Sequence, residues 1–303
     1  MSPRAGMLRV AALPALLALS ALLAPSAAQA AGDAPPRVYR VSQALRLDEG
    51  QTGTYTLACR RHDVATDGTW LVDAVEANPD LDDAAYDLVT GVDVLEAASF
   101  AAGAYRFTLR NNAEGGAQVR IAVTCLQAGP DRHRLALGPR RTERAELAPG
   151  PGSPLAIACP RGTIAVAPGF RAEGLGAAPR LTTRAPAGAG ARRFTWAFTA
   201  IDAATVRTSA RCLATRVGRH RLHATYRAGT TDVSDGRVET FTVSCRASEQ
   251  AIVGTFRLSG SWYLGQAPAG RQRSFKLQSP PDGRSADAAL GLLCLRLAAA
   301  RPR

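Results

Sequence analysis

The sequence has little of what catalysis usually requires. Its 303 residues include only four histidines, and it contains no HExxH zinc motif, no GxSxG nucleophile elbow and no glycine-rich phosphate loop. The absence of these motifs argues against zinc hydrolases, α/β-hydrolases and nucleotide-binding enzymes. We therefore predict a protein that is not an enzyme and that holds no cofactor.

Long hydrophobic runs are also lacking, except at the N-terminus. Arg4 and Arg9 lead into an apolar run over residues 10–24. The small residues Ala28 and Ala30 then stand where signal peptidase requires them, before a cut after Ala30. A transmembrane anchor is the competing interpretation, but the run is shorter than the roughly 20 residues that cross a bilayer. We predict a signal peptide over residues 1–30 and a mature protein, with no remaining anchor, in the periplasm or the extracellular space.

No two of the six cysteines are spaced as a CxxC pair, which argues against a redox motif or a zinc ribbon. In an exported protein, an even number of cysteines favours disulfides. The cysteines also mark an internal repeat. A phenylalanine lies 18 or 19 residues before Cys125, Cys212 and Cys294, and an aromatic residue lies eleven positions after Cys59, Cys159 and Cys245.

These offsets predict three modules over residues 31–130, 131–217 and 218–303, each the size of a small domain. Two cysteines in each module make Cys59–Cys125, Cys159–Cys212 and Cys245–Cys294 the simplest pairing. Residues 54–59, 119–125 and 238–245 alternate polar with apolar side chains, which is typical of half-buried strands. Several short strands in each module favour a β-sandwich over a small open barrel.

The aromatic residue that follows the first cysteine of each module is similar to the immunoglobulin arrangement, in which a tryptophan packs on a disulfide. Module 1 has Trp70 at this position. The tyrosine that lies two residues before the second cysteine in immunoglobulin domains is replaced by Val123, Ala210 and Leu292. The fold class predicted is all-β, with three tandem immunoglobulin-like β-sandwich modules, each stapled by one disulfide.

Module 1 has the largest separation between its cysteines, and the extra residues fall within 78–98. Asn78 and Pro79 fit the start of a helix, and apolar residues then recur at helical spacing up to Leu95. We predict a short helical insertion there. The alternative is a weak calcium site formed by clustered carboxylates, since calcium takes six to eight oxygen ligands. The acidic residues concerned are Asp80, Asp82, Asp83 and Asp87.

The charges are unevenly distributed along the chain. Residues 32–130 include 8 basic and 14 acidic side chains, whereas residues 131–303 include 27 basic and 11 acidic ones. One interpretation is that modules 2 and 3 bind an anionic polymer, such as a surface polysaccharide, the phosphates of lipopolysaccharide or extracellular nucleic acid. Another is head-to-tail association between copies of the chain. The simplest is that an arginine-rich surface is merely solvated.

A local pattern provides a test of the predicted binding to an anionic polymer. If residues 193–198 and 205–212 form a hairpin, Arg193, Arg207 and Arg211 point outward, and Arg193 lies opposite Arg211. Like charges directly across a strand pair are unfavourable unless an anion lies between them. The aromatic residues of this segment have the buried parity and are not available to stack on bases. The sequence therefore predicts an anion site without a specific nucleic-acid partner.

Together these observations predict an exported, non-catalytic binding or structural protein of the cell envelope or its surroundings, whose partner is an anionic envelope polymer or another protein. A self-assembling appendage or matrix subunit is the second interpretation, because the ends of the chain are oppositely charged. A secreted hydrolase or inhibitor is the third.

Overall fold

Strands make up most of the described chain, and helix is absent from it. The computed structural model describes residues 37–75, 91–127, 135–174, 176–188, 191–217, 220–280 and 285–299. The alternation of side chains explains the strands. In Ala104–Asn111, for example, Tyr105, Phe107 and Leu109 are buried while the residues between them are less so. The prediction of an all-β fold is confirmed.

The strands are numbered in chain order and are grouped by the three modules that the repeat predicts. Those of module 1 are β1 (Arg37–Leu47), β2 (Thr52–Ala58), β3 (Val64–Val75), β4 (Val92–Ala101), β5 (Ala104–Asn111) and β6 (Ala117–Gln127). Those of module 2 are β7 (Arg141–Leu147), β8 (Gly150–Pro151), β9 (Leu155–Ala158), β10 (Thr163–Glu173), β11 (Arg180–Pro186), β12 (Arg193–Ala200), β13 (Ala204–Ala214) and the short β14 (Arg216–Val217). Those of module 3 are β15 (His220–Val233), β16 (Val238–Ser244), β17 (Gln250–Ser259), β18 (Trp262–Ala269), β19 (Gln272–Gln278) and β20 (Ala286–Ala299).

Each module divides its strands between two of three sheets. Sheet 1 has the order β1-β6-β3-β18-β19-β16, and sheet 2 has the order β2-β5-β4-β10-β13-β7. Sheet 3 has the order β14-β15-β20-β17-β11-β12-β8, with β9 also paired to β12. Each sheet therefore joins a half-sheet from one module to a half-sheet from another. The modules are thus not three separate sandwiches along the chain, because their half-sheets continue into one another.

Short strand pairings close the three modules into a ring. Strand β4 pairs with β10 between modules 1 and 2, and β11 pairs with β17 between modules 2 and 3. Strand β18 then pairs with β3, where Gly265 lies opposite Leu71, and this contact joins module 3 back to module 1. The pairings satisfy backbone groups that an isolated half-sheet would leave at an open edge.

Glycine is required at the closing contact of the ring. Gly265 has a φ of +141°, which side-chain-bearing residues rarely adopt. A Cβ atom at this position would also collide with the carbonyl oxygen of Trp70. The backbones of β18 and β3 can therefore approach each other only because residue 265 lacks a side chain.

Disulfides connect the two sheets of each module. The bonds are Cys59–Cys125, Cys159–Cys212 and Cys245–Cys294, with Cα atoms 5.5 to 5.7 Å apart, and these are the pairs that the repeat predicts. In each pair, the first cysteine directly follows β2, β9 or β16, and the second lies within β6, β13 or β20. Each bond therefore links the edge strand of one sheet to an inner strand of another.

The core is shared among the modules. Strands β3, β10 and β17 contact one another, and they carry the aromatic residues that follow the odd-numbered cysteines, Trp70, Phe170 and Phe256. The Trp70 ring packs edge-on against Phe170, at a centroid distance of 5.9 Å, and against Tyr263, at 5.2 Å. Tyr263 in turn stacks on Phe256 at 4.0 Å. Aromatic rings from all three modules thus form one continuous core.

The predicted hairpin of residues 193–198 and 205–212 is wrong. Strand β12 lies in sheet 3 and β13 lies in sheet 2, so the chain crosses between sheets over residues 201–203. Arg193 lies opposite Ala158, and Arg211 lies opposite Val166. The alternation predicts correctly that Phe194, Trp196 and Phe198 are buried. Alternation does not show which strand is the hydrogen-bonded neighbour. Two strands that face each other from different sheets bury alternate residues in the same way as two strands paired in one sheet.

Two other predictions concern residues that the structure does not describe. The signal peptide and the first part of the helical insertion lie outside the described residues, as do Asp80, Asp82, Asp83 and Asp87 of the calcium interpretation. The last part of the predicted insertion is described, and it is not helical. Val92 and Leu95 belong to β4, which pairs with β5 and so places them in a sheet.

Candidate functional site

Three arginines form a row across sheet 2. Arg207 of β13 lies directly opposite Arg144 of β7 on one side and Arg171 of β10 on the other. Directly opposed residues project from the same face of a sheet, and neighbouring strands are about 4.8 Å apart. The Arg144 and Arg171 side chains are 58% and 52% exposed, and Arg207 is exposed as well. We call Arg144, Arg207 and Arg171 the arginine row.

The carboxylates near the row leave its centre without a counter-ion. Arg144 pairs with Glu146 at 2.9 Å, and Arg171 pairs with Glu173 at 3.5 Å. No salt bridge joins Arg207 to any carboxylate in the described part of the chain. Two of the three cations thus have a carboxylate partner, and Arg207 at the centre is the one left for an external anion.

The row is flanked by an ion pair on β4 and β5. Glu96 lies opposite Arg171, but both of its oxygens accept hydrogen bonds from the guanidinium of Arg106, at 2.9 and 3.0 Å. This interaction raises the pKa of Arg106 above its ordinary value, because the hydrogen bond to Glu96 stabilises the charged form. Glu96 is therefore already engaged and does not neutralise Arg171.

A second pair of arginines, Arg211 of β13 and Arg140 just before β7, lies beside Ser99. Arg211 donates to the hydroxyl of Ser99 at 3.1 Å, and Arg140 donates to the carbonyl oxygen of the same serine at 3.2 Å. Burial and the nearby Arg140 cation lower the pKa of Arg211 below its ordinary value. Positive charge therefore extends from the arginine row toward the contact between modules 1 and 2.

The structure brings together two of the three predicted anion-binding residues. Arg207 and Arg211 lie on β13, whereas Arg193 lies on β12 in another sheet. The sequence did not reveal Arg144 and Arg171, although alternation gives the outward parity of each. Alternation does not predict the order of strands across the sheet, and it is this order that places Arg144 and Arg171 beside Arg207.

A buried charge network lies in the core. Asp67 accepts hydrogen bonds from the Arg184 guanidinium and, at 2.9 Å, from the backbone amide of Gly254. Arg273 lies 4.0 Å from the same carboxylate and donates to the Thr124 hydroxyl at 2.7 Å. Burial raises the pKa of Asp67, against the opposing effect of both guanidinium groups, and burial lowers the pKa of Arg273 to about 10.

The three charged residues of this network come from three different modules. Asp67 belongs to module 1, Arg184 to module 2 and Arg273 to module 3, and all three side chains are buried. Because solvent does not reach them, the network is suited to joining the modules and not to reacting with a substrate.

A cavity of about 290 Å³ also lies among the modules. Its walls come from β3 and β4 of module 1, from β10, β11 and β12 of module 2, and from β18 of module 3. Trp70, Phe170, Trp262 and Tyr263 give it an aromatic lining, while Arg180 and Ser261 are among its polar groups. A concave pocket with aromatic walls and a few polar groups is typical of small-molecule sites.

Among the described residues, one group of potential metal ligands comes together, and it is already engaged. Cys245 and Cys294 lie near Glu249, but the two cysteines form a disulfide. Glu249 pairs with Arg227 through two hydrogen bonds of 2.8 Å, which lower its pKa. This group therefore does not form a metal site.

No protein-family model matches the chain, and no curated protein matches it at a significant level. The three disulfides are typical of an oxidising compartment. Within the described ranges, no helix has the length and apolar character needed to cross a membrane.

Proposed function

We propose that the protein is an exported, non-catalytic binding protein whose arginine row holds an anionic polymer of the cell surface or its surroundings. The observation that carries the proposal is the register of Arg144, Arg207 and Arg171 on three adjacent strands. Guanidinium groups form paired hydrogen bonds with carboxylate, sulfate and phosphate groups, so a row of them suits a chain with repeated anionic groups.

The scaffold supports such a role because it holds the row on rigid elements. Strand β7 pairs with β13 along its whole length, and β10 pairs with β13 on both sides of a bulge between Val166 and Gly169. The Cys159–Cys212 disulfide joins β13 to the end of β9 in sheet 3. Binding groups on paired strands lose less conformational freedom on binding than groups on loops. All three arginines of the row lie in module 2, on strands that pair directly with one another.

We also propose that each module is an immunoglobulin-like unit. In module 1, the half-sheets have the orders β2-β5-β4 and β1-β6-β3, and the disulfide links the end of β2 to β6. The immunoglobulin fold places its strands B, E and D in one sheet and C and F in the other, with a disulfide from B to F and a tryptophan on C. Trp70 lies on β3, the third strand, which corresponds to C.

Charge reversal at the centre of the row tests the proposed function. The Arg207→Glu variant should leave a heparin column at lower salt than the wild-type protein and should lose about tenfold or more in affinity for sulfated or phosphorylated polymers. Arg193→Glu is the matched control, because Arg193 is also an exposed strand arginine but lies in sheet 3. Equal losses in the two variants would show that net charge, and not the row, causes retention.

A further inference from the structure

One end of the ring gathers loops from all three modules. At each contact between modules, one strand (β3, β10 or β17) begins directly after the loop that carries the first cysteine of its module. Its partner (β18, β4 or β11) runs antiparallel to it and ends in a hairpin turn. In an antiparallel pair, the end of one strand lies near the start of the other. The three first-cysteine loops and the three hairpin turns therefore share one end of the ring, which we call the cysteine face.

The same backbone hydrogen bond joins the two loops of each module. In every case the amide of the first cysteine donates to the carbonyl oxygen of the last residue of the hairpin turn, at 2.7 to 2.9 Å. The pairs are Cys59 and Gly103, Cys159 and Arg192, and Cys245 and Arg271. These bonds, together with the disulfides of the same cysteines, hold the six loops in fixed positions.

Exposed arginines are common on the cysteine face. Arginine follows the first cysteine within two residues in every module, and arginine also ends the hairpin turn in modules 2 and 3. All of these residues are exposed, and no salt bridge joins them to a carboxylate in the described ranges. They are Arg60, Arg61, Arg161, Arg192, Arg246 and Arg271.

The carboxylates of these six loops are already engaged. Asp63 accepts a hydrogen bond from the Tyr39 hydroxyl at 2.6 Å. Glu249 is buried and accepts two hydrogen bonds from Arg227 at 2.8 Å. The positive charge of the cysteine face is therefore left for a partner outside the chain.

The loops at the opposite end of the ring have the reverse charge. In the ranges that the structure describes, their charged residues are Asp48, Glu49, Glu114, Asp202, Asp235 and Arg237. Acidic residues therefore predominate there, and the ring is electrically polarised from one end to the other. Such a charge distribution orients the cysteine face toward an anionic surface.

An exposed aromatic side chain adjoins the cysteine face. Phe100 lies near the end of β4, at a bulge between Ser99 and Ala101, and is 44% exposed. Arg140 and Arg211 both donate hydrogen bonds to Ser99 beside it. At membrane surfaces, phenylalanine inserts at the boundary between headgroups and acyl chains, while arginine is attracted to anionic headgroups.

From the unpaired arginines, the charge polarity and Phe100, we infer that the cysteine face docks on a membrane that contains anionic phospholipids. A bilayer presents phosphates across a plane, so the loops of all three modules contact it together. Guanidinium groups pair with the phosphates, and the Phe100 ring enters the layer beneath them. The surface is separate from the arginine row, which crosses the middle of sheet 2. It is a property of the closed ring, because each module supplies arginines to it.

Vesicle binding tests the inference directly. We expect the mature protein to sediment with vesicles of phosphatidylcholine and phosphatidylglycerol in about equal amounts, and not with vesicles of phosphatidylcholine alone. Binding should weaken as salt is added, because salt screens the charges. Failure to bind the mixed vesicles at low salt would overturn the assignment.

Two triple variants with the same change in net charge test which end of the ring docks. The cysteine-face variant, Arg61→Glu with Arg161→Glu and Arg246→Glu, should bind the mixed vesicles about a hundredfold or more weaker than the wild type. The control variant replaces one exposed arginine of each module toward the opposite end, with Arg46→Glu, Arg180→Glu and Arg237→Glu. It should lose much less affinity. Equal losses would show that net charge, and not the cysteine face, determines binding.

The melting temperatures of both triple variants should stay close to that of the wild type, because all six residues are exposed. Phe100→Ser should also weaken binding to the mixed vesicles, and its retention on heparin should not change. Unchanged vesicle affinity in Phe100→Ser would overturn the insertion of the aromatic ring. Release of the protein from the vesicles by an equal concentration of glycerol phosphate would show that the loops recognise free phosphate and not a membrane.

One further variant separates the cysteine face from the arginine row. Arg207→Glu should keep wild-type affinity for the mixed vesicles even where it has lost its affinity for heparin. If Arg207→Glu loses the vesicles as fully as the cysteine-face variant does, the membrane binds at the row and the cysteine-face assignment is wrong. A wild-type protein that binds the vesicles but not heparin would contradict the arginine row alone.

Discussion

The carboxylate of Asp67 in module 1 accepts a hydrogen bond from the guanidinium of Arg184 in module 2, at a point from which solvent is excluded. Arg273 of module 3 lies 4.0 Å from the same carboxylate. Buried ion pairs give little net stability over apolar packing, but removing one partner leaves the others without compensation. Asp67 therefore connects all three modules at one buried point.

The Asp67→Asn substitution should lower the free energy of unfolding by about 3–5 kcal/mol, because it leaves two buried guanidinium groups without an anion. Urea denaturation measures this change. Asp73→Asn is the control, since Asp73 pairs with Arg120 at 3.0 Å on the surface and its loss should cost less than about 1 kcal/mol. Equal stability of the two variants would contradict the structural role of the network.

The contact between β18 and β3 should be sensitive to any side chain at position 265. Gly265→Ala places a Cβ against the Trp70 carbonyl oxygen and forces alanine into a positive φ, so we expect a loss of about 2 kcal/mol or more. Gly229→Ala is the matched control, because Gly229 also lies in a strand and a Cβ there meets no atom within 4 Å. Thermal melting of both variants distinguishes the two positions.

Module 1 alone should not fold. In residues 31–130 expressed separately, β3 and β4 lack their partners β18 and β10, and Asp67 lacks both of its guanidinium partners. Circular dichroism and the dispersion of amide resonances should therefore show a largely unfolded chain. The full-length protein should unfold in a single transition, because its core is continuous. A folded, monomeric module 1 would contradict this prediction.

Loss of one disulfide should lower the stability of the whole protein. Replacing both Cys159 and Cys212 by alanine removes a bond that spans 53 residues, and the free energy of unfolding should fall by about 2–5 kcal/mol. Non-reducing peptide mapping should find the other two bonds intact in this variant. Exchange of partners among the remaining cysteines would show that module boundaries do not determine the pairing.

The sequence predicts the disulfides and the buried face of each strand well, because both depend on local spacing. The repeat identifies the three cysteine pairs, and alternation identifies Phe194, Trp196 and Phe198 as buried. It does not predict which strands are neighbours. The contacts that close the ring involve only one or two residue pairs each, such as Gly265 with Leu71, and leave no periodic signal.

The same limit explains the functional residues that the sequence missed. Arginine is typical of surface positions, yet the closed ring buries both Arg184 and Arg273. Arg144 and Arg171 reach the arginine row only through the order of strands in sheet 2. The cavity depends on Trp70, Phe170 and Ser261, which come together from three modules. Long-range pairing, and not local pattern, determines each of these sites.

The closing contact between β18 and β3 also sets the copy number of the repeat. An open array of repeats can grow or shrink by one unit, because its end units present free surfaces to the next copy. In this chain each module already uses both of its connecting strands, one toward each neighbour. A duplication that added a fourth module would have to break an existing contact, so we expect such a gene product to carry an unpaired module that proteases remove.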